Sequence, residues 1–228
     1  MQGRDVCTSY IAITCHYWHI VAMQFSTLVD EVGDLPLFRG SLLLAGDRDP
    51  ADVRRQLSRW TAAGKVVQLR RDVYVLADPW RRIDPHPFLV ANELSRPSYV
   101  SLQSALAWHG LIPEAAPVTT SVTTGRPEVV DTPIGRFAFR HVRPAAFFGF
   151  ETTDVWRGQR ARVADAAKAL LDLVYLTPAG DAPEHLASLR LEGPDAATGE
   201  ALREHAERWG KPKLARAVRA ILEPQDGA

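Results

Sequence analysis

The stretch that decides the fold is residues 49–76, which read DPADVRRQLSRWTAAGKVVQLRRDVYVL. Its first half has the spacing of an amphipathic helix, in which Asp49 fits the N-cap, Pro50 fits the first helical position and Gly64 ends the helix. After Gly64 the apolar residues alternate with a period of two, which predicts strands over 66–69 and 73–76 around a tight turn at 70–72. The stretch therefore predicts a helix followed by a two-stranded hairpin.

The predicted helix has two distinct faces. At 3.6 residues per turn, Val53, Leu57 and Trp60 form one narrow apolar stripe. The opposite face and its flank are basic or small, and they carry Arg54, Arg55, Ser58, Arg59 and Ala62. We expect the helix to bury the stripe and to present the arginines to solvent.

Two further short helices are predicted upstream, over residues 25–32 and 41–45. Gly33 ends the first, and Gly46 is expected to cap the second. Three helices followed by a hairpin is the order of a winged helix-turn-helix, so residues 23–78 are predicted to form one. Residues 1–22 are expected to be an upstream translated extension, disordered or loosely attached, with Met23 as the natural start.

A domain boundary is predicted after the hairpin, because residues 79–87 (PWRRIDPHP) contain three prolines and read as a linker. Residues 88–228 then mix two kinds of pattern. Helices are expected near 88–94, 102–109 (with Ser101 as N-cap), 164–176, 199–209 and 212–222, and strands near 118–124, 129–130 and 136–142. The chain is therefore predicted to be α+β, with a winged helix followed by a mixed α/β domain.

Composition limits the classes of function. The chain has 228 residues with 27 basic and 27 acidic side chains, so a globally basic nucleic-acid coat is excluded but a local basic patch is not. An apolar content of 46% excludes disorder over the whole chain. Both cysteines, Cys7 and Cys15, lie near the N-terminus, so the remainder has no disulfide framework or Cys-based zinc site. With no predicted span or export signal, a cytoplasmic location without membrane contact is expected.

The strongest functional signal is a local excess of positive charge, since residues 50–76 contain six cations and two anions. An α-helix fits the DNA major groove, where arginine binds guanine through two hydrogen bonds, and a hairpin tip reaches the phosphate backbone. The alternative is a solvated helix face whose charges serve solubility. The candidate DNA-binding residues are Arg54, Arg55, Ser58, Arg59, Lys65, Arg70 and Arg71.

Other reactive side chains form no recognisable catalytic motif. The histidines of the second domain are scattered and lack metal-ligand spacing. Asp165, Lys168 and Asp172 share one helix face, which fits either a paired acid site or a helix N-cap with ordinary ion pairs. The aromatic run at 147–150 (FFGF) either plugs the edge of a core or binds a partner. No catalytic residue, metal or cofactor is predicted.

Three blocks of sequence, in order, resemble AbiEi-type antitoxins. The first is the predicted winged helix, with RRQLSRW at 54–60, GKV at 64–66 and LRRDVY at 69–74. The second is YVSLQSAL at 99–106 with HGLIP at 109–113, and the third is ADAAKALLD at 164–172. The resemblance covers residues 25–222.

Asp72 departs from the family pattern, which usually has glycine at this place in the wing. An aspartate can adopt the left-handed turn conformation, but it also brings a negative charge to the tip. Its carboxylate either faces the DNA backbone and repels it, or pairs with Arg70 or Arg71 and holds the tip in shape.

The resemblance implies a non-enzymatic protein with two roles. It would repress its own operon by binding double-stranded promoter DNA through the winged helix, and it would neutralise a cognate nucleotidyltransferase-type toxin, for which the second domain is needed. One alternative is a transcriptional regulator without a toxin partner. Another is a DNA-processing enzyme, which needs an acidic metal cluster on strands, and the strands at 118–124 and 136–142 contain no Asp or Glu.

Overall fold

The computed structural model describes residues 23–45, 48–113, 117–192 and 195–223. Within these ranges the chain is mixed α+β, as predicted, and its helices pack with two β-sheets. None of the helices in these ranges is long and apolar enough to cross a membrane. The predicted extension at 1–22 and the predicted cap at Gly46 lie outside the described residues.

The N-terminal part consists of short helices and a three-stranded antiparallel sheet in the order β1-β3-β2. Its elements are α1 (Phe25–Val32), β1 (Phe38–Arg39), a 3₁₀ helix (Gly40–Leu44), α2 (Pro50–Ala62), β2 (Val66–Arg70) and β3 (Val73–Leu76). The helix predicted at 41–45 is therefore a 3₁₀ helix that begins one residue earlier. Sequence reasoning missed β1, because a two-residue strand has no periodicity and exists only through its pairing with β3.

Helix α2 forms as its sequence predicts. The Asp49 carboxylate accepts a hydrogen bond from the Ala51 N–H at 2.6 Å, and Pro50 occupies the first turn. The chain leaves the helix through Gly64 at a φ of +70°, a conformation that glycine adopts without strain. The predicted apolar stripe is confirmed, since its three members are buried: Val53, Leu57 and Trp60.

The C-terminal part is built on a six-stranded mixed sheet in the order β6-β7-β5-β4-β9-β8. Its strands are β4 (Ser98–Val100), β5 (Thr119–Thr123), β6 (Glu128–Thr132), β7 (Gly135–His141), β8 (Phe150–Trp156) and β9 (Gln159–Ala164). Its α-helices are α3 (Pro87–Leu94), α4 (Leu102–Trp108), α5 (Ala166–Leu176), α6 (Pro183–Ser188), α7 (Ala196–Trp209) and α8 (Pro212–Leu222). The five predicted helices and the strands β5, β6 and β7 are confirmed.

Three strands and one α-helix of this part were not predicted from the sequence, nor was the 3₁₀ helix Pro144–Ala146. Strand β4 has only three residues, all of them buried, so it shows no alternation. Strand β8 is largely polar and its Thr-rich centre is mostly exposed, and β9 pairs with it across a tight turn. Helix α6 buries none of its residues. Strands β4 and β8 and helix α6 therefore lack the periodic apolar face on which sequence prediction depends. Strand β9 does alternate, with Ala161 and Val163 buried and Arg160 exposed, and sequence reasoning missed it.

Two hydrophobic clusters share the β2–β3 hairpin. Val66 and Leu76 belong to the smaller cluster, which α1 and α2 complete. Leu69, Val73 and Val75 belong to the larger cluster, which contains the core of the C-terminal part. Because successive strand residues point to opposite faces, the hairpin lies between the two clusters. The predicted boundary after residue 78 therefore follows a hairpin that already packs with the second core.

The predicted linker at 79–87 is packed along much of its length. The rings of Trp80 and Phe25 lie 5.1 Å apart between centroids, which joins the segment to the smaller cluster. At its other end, the Gln159 side chain donates to the Asp84 carbonyl and accepts from the His86 N–H. This segment therefore contacts both parts of the structure.

Candidate nucleic-acid interface

The exposed face of α2 brings four of the predicted DNA-binding residues together. Arg54, Arg55, Ser58 and Arg59 are all exposed on the side opposite the buried stripe. Arg55 Nη1 lies 2.9 Å from Asp52 Oδ1, one turn earlier. Arg54 and Arg59 have no carboxylate partner among the described residues. The helix thus presents two unpaired guanidinium groups and one that a carboxylate holds.

Lys65 lies elsewhere. Its Nζ sits 4.8 Å from the ring centroid of Phe25 and 5.9 Å from that of Trp80. Phe25 in turn contacts Trp60, which belongs to the buried stripe of α2. The structure therefore places the Lys65 ammonium against the half-buried rings of Phe25 and Trp80, as a cation–π contact, and not among the exposed arginines.

The two arginines at the hairpin tip have different environments. Arg70 Nη1 donates to Glu128 Oε1 at 2.7 Å, across to the first residue of β6. Arg71 is exposed, and within the described part of the chain no carboxylate pairs with it. The tip thus offers one unpaired cation and one that is held by the C-terminal part.

A basic cleft lies between the hairpin tip and the C-terminal part. Two glutamates hold three of its arginines: Glu93 binds Arg39 and Arg96, and Glu128 binds Arg70. The side chain of Glu93 is only 13% exposed, and its Arg39 partner also donates to the Glu93 carbonyl at 3.0 Å. We name as the basic cleft the surface lined by Arg39, Arg70, Arg71, Glu93, Arg96, Arg126 and Glu128.

Sequence reasoning missed the members of this cleft that lie outside residues 49–76. Arg39 and Glu93 are 54 positions apart, and Arg70 and Glu128 are 58 positions apart. No local pattern joins residues at such separations. The only sequence signal was the excess of arginine at the hairpin tip, which does not reveal its partners.

Asp72 does not pair with Arg70 or Arg71, which was one of the two roles that the sequence suggested. Its φ is +66°, the left-handed conformation that the turn was expected to need. Its carboxylate accepts from the Ser41 N–H at 2.9 Å and from Ser41 Oγ at 3.1 Å. Arg39 Nη1 lies 3.9 Å from it, whereas Arg70 pairs with Glu128. Asp72 therefore ties the hairpin turn to the start of the 3₁₀ helix.

Gly40 makes this contact sterically feasible. A Cβ atom added at Gly40 would lie 2.9 Å from Asp72 Oδ1 and 3.0 Å from Leu57 Cδ1. The Gly40 N–H also donates to the Asp72 carbonyl at 3.2 Å. The absence of a side chain at Gly40 therefore allows the hairpin turn to lie against the 3₁₀ helix and α2.

The two carboxylates that the sequence placed on one face of α5 do not pair with each other. The Asp165 carboxylate caps the helix by accepting from the Lys168 N–H at 2.7 Å, which confirms the N-cap interpretation, and it also contacts His205 Nε2. Asp172 is fully buried and pairs with the Lys168 ammonium, which is itself fully buried. The ion pair is therefore internal, not the ordinary pair that the sequence suggested. The two carboxylates have separate partners.

Further polar groups complete this internal pair. Asp172 Oδ2 accepts from the Tyr99 hydroxyl at 2.9 Å and from Ser101 Oγ at 2.7 Å. Ser101 does occupy the N-cap position of α4, but its side chain donates to Asp172 and makes no capping bond. Burial lowers the pKa of the Lys168 ammonium, and the Asp172 carboxylate opposes that shift. The network joins β4 to α5.

The aromatic run at 147–150 packs inward. The Phe150 ring stacks on Tyr99 at 4.5 Å between centroids, and Phe147 meets the same ring edge-on at 5.0 Å. Phe148 is buried and lies 6.1 Å from Trp209 of α7. These contacts favour the interpretation in which the run plugs the edge of the core over a partner-binding edge.

Within the residues that the structure describes, no group of three or more His, Cys, Asp or Glu side chains is arranged to hold a metal ion. Comparison with models of protein families gives no match, and comparison with curated proteins gives none either.

Proposed function

We propose that residues 23–78 are a winged-helix DNA-binding domain in which α2 is the recognition helix and the β2–β3 hairpin is the wing. The observation that carries the proposal is the division of α2 into a buried apolar stripe and an exposed basic face. Such a helix fits the major groove, where an arginine fork binds O6 and N7 of guanine.

Within this proposal the exposed residues have different tasks. Arg54, Arg55 and Arg59 read base edges, and Ser58 bonds to a base or a phosphate. Arg71 binds the phosphate backbone from the hairpin tip. Lys65 supports the domain through its aromatic contacts and does not touch DNA directly.

We propose further that the chain is a cytoplasmic, non-enzymatic antitoxin that represses its own operon and neutralises a nucleotidyltransferase-type toxin. This part is supported by the three sequence blocks that resemble AbiEi-type antitoxins, and not by the geometry of the C-terminal part. The promoter DNA upstream of the gene is the proposed nucleic-acid partner, and no cofactor is proposed.

The DNA-binding part is tested with Arg59→Ala and the duplex upstream of the gene. Loss of one good base contact weakens binding by about 1–3 kcal/mol. The matched control is Arg136→Ala, which removes an exposed arginine that pairs with Asp131 on the C-terminal sheet at 3.3 Å. Fluorescence anisotropy that gives wild-type affinity for Arg59→Ala, or equal losses for both variants, would contradict α2 as the recognition helix.

The antitoxin part is tested in cells. A neighbouring reading frame that encodes a nucleotidyltransferase is expected to arrest growth when expressed alone and to permit growth when this chain is co-expressed. A regulator without a toxin partner would bind its upstream DNA normally and leave growth arrest unchanged. That result would reject the antitoxin role while leaving the DNA-binding role intact.

A further inference from the structure

Glu128 lies beside the tip of the β2–β3 hairpin and binds one of its two arginines. It begins β6 of the C-terminal part, yet its carboxylate accepts a 2.7 Å bond from Arg70 at the end of β2. The two side chains are 40% and 34% exposed, so the pair is accessible to solvent and to a bound polyanion. This contrasts with Glu93, whose largely buried carboxylate holds two arginines in place.

From this arrangement we propose that Glu128 is an intramolecular competitor of DNA: it holds the Arg70 guanidinium that would otherwise bind a backbone phosphate, and it thereby lowers the affinity of the protein for DNA. The inference rests on the proposed DNA-binding function and assigns a regulator of that same surface.

The chemistry of the contact supports competition. A carboxylate and a phosphate bind guanidinium through the same kind of charge-assisted hydrogen bond. A phosphate at Arg70 would also approach the Glu128 carboxylate, and the two negative charges repel each other. DNA must therefore either displace Glu128 from Arg70 or bind without that arginine. An accessible ion pair is weak enough for such an exchange.

The fold keeps the competitor in place. Leu69 and Val73, on either side of the tip, pack into the larger cluster, so the hairpin cannot swing away from β6 without exposing buried apolar surface. The Arg39–Glu93 pair fastens the neighbouring strand β1 to α3. The hairpin and β6 are therefore held side by side, and an exchange of Glu128 for phosphate involves only the side chains of the pair.

The remaining charges of the basic cleft explain why the effect is a modulation and not a block. Arg71 and Arg126 are exposed and have no carboxylate partner among the described residues. They continue to attract phosphate while Arg70 is held. Loss of the Glu128 charge would add Arg70 to this unpaired set.

The test uses Glu128→Gln in the full chain, with the duplex upstream of the gene and anisotropy titrations at several salt concentrations. Release of one exposed ion pair predicts binding about two- to fivefold tighter at low salt. One added phosphate contact predicts a log–log salt slope steeper by about one. When Arg70→Ala is already present, adding Glu128→Gln is expected to change neither the DNA affinity nor the salt slope.

Asp131→Asn is the matched control. Asp131 is on the same strand, is 73% exposed and pairs with Arg136, so the variant removes the same charge away from the wing. We expect it to leave affinity and slope unchanged. Equal gains in both variants would show that net charge alone is responsible and overturn the inference. So would weaker binding by Glu128→Gln, because Glu128 would then be orienting Arg70 for DNA.

Failure of the inference and failure of the proposed function give different results. A wild-type protein that binds upstream DNA, with no gain in Glu128→Gln, rejects only the competition. A wild-type protein that does not bind this DNA at low salt rejects the proposed function and the competition with it.

Discussion

Arg59 and Trp60 are adjacent in the sequence and have opposite environments, because one helical step of 100° carries a side chain from the solvent face of α2 to its buried face. Arg59 is exposed, whereas Trp60 is buried and meets Phe25 edge-on at 5.5 Å between ring centroids. Phe25, which contacts Trp60, also contacts the Lys65 ammonium. Each residue can therefore be tested for its own role.

Trp60→Ala is expected to lower the free energy of unfolding by about 3–5 kcal/mol, because it leaves a large cavity in the smaller cluster. That loss approaches the stability of a small domain, so DNA binding should be lost with it. Chemical denaturation measures the change. The control is Trp156→Ala. Trp156 is 39% exposed, so this variant should lose far less free energy of unfolding. Equal stability of the two variants would contradict the burial of Trp60.

Asp72 combines a strained backbone with two hydrogen bonds, and two substitutions separate these effects. Asp72→Ala loses the hydrogen bonds to Ser41, which, by analogy with a helix cap, contribute about 1 kcal/mol to the free energy of unfolding. It also places alanine in the left-handed conformation, which costs about 1 kcal/mol more. Asp72→Gly loses the same bonds but removes the strain, so its stability should stay within about 1 kcal/mol of wild type. Urea denaturation that gives equal losses would show that turn strain contributes nothing.

Among the secondary-structure elements, α2 and the hairpin carry the proposed contacts in different ways. The helix offers a face in which four exposed side chains lie together, whereas the hairpin offers Arg71 alone, since Arg70 is held by Glu128. Base reading is therefore assigned to the helix and backbone contact to the hairpin.

Arg71→Ala tests that division between the two elements. Loss of a phosphate contact should weaken binding to upstream DNA and to random DNA equally, and should flatten the log–log salt slope by about one. Salt titrations on both duplexes measure this. A variant that loses its preference for upstream DNA while its salt slope stays unchanged would show that the hairpin reads bases.

Across the complete fold, the shared hairpin couples the two hydrophobic clusters. Leu69 is part of the predicted DNA-binding domain by sequence, but it packs in the larger cluster. Leu69→Ala is expected to lower the free energy of unfolding by about 2–5 kcal/mol. Because the hairpin serves both clusters, far-UV circular dichroism and tryptophan fluorescence should report one shifted transition. Two separate transitions, of which only one moves, would show that the parts unfold independently.

Individual helices and strands were predictable where apolar residues recur at the helical or strand period. The stripe of α2, its Asp49 cap and the buried alternation of Phe137 and Phe139 in β7 follow from spacings of 3.6 and 2.0 residues. Strands such as β4 and β8 have no such repeat, so they could not be predicted before their partners were known.

The sequence by itself determined the α+β composition, the limits of α2 and the exposure of its arginines, because these depend on neighbours within a few residues. Only the tertiary structure decided that Glu128 holds Arg70, that Asp72 binds Ser41, and that Lys65 lies against Phe25. These contacts join residues 31 to 58 positions apart, and which side chains meet at such distances is fixed by the packing of the two clusters around the hairpin, not by any local spacing.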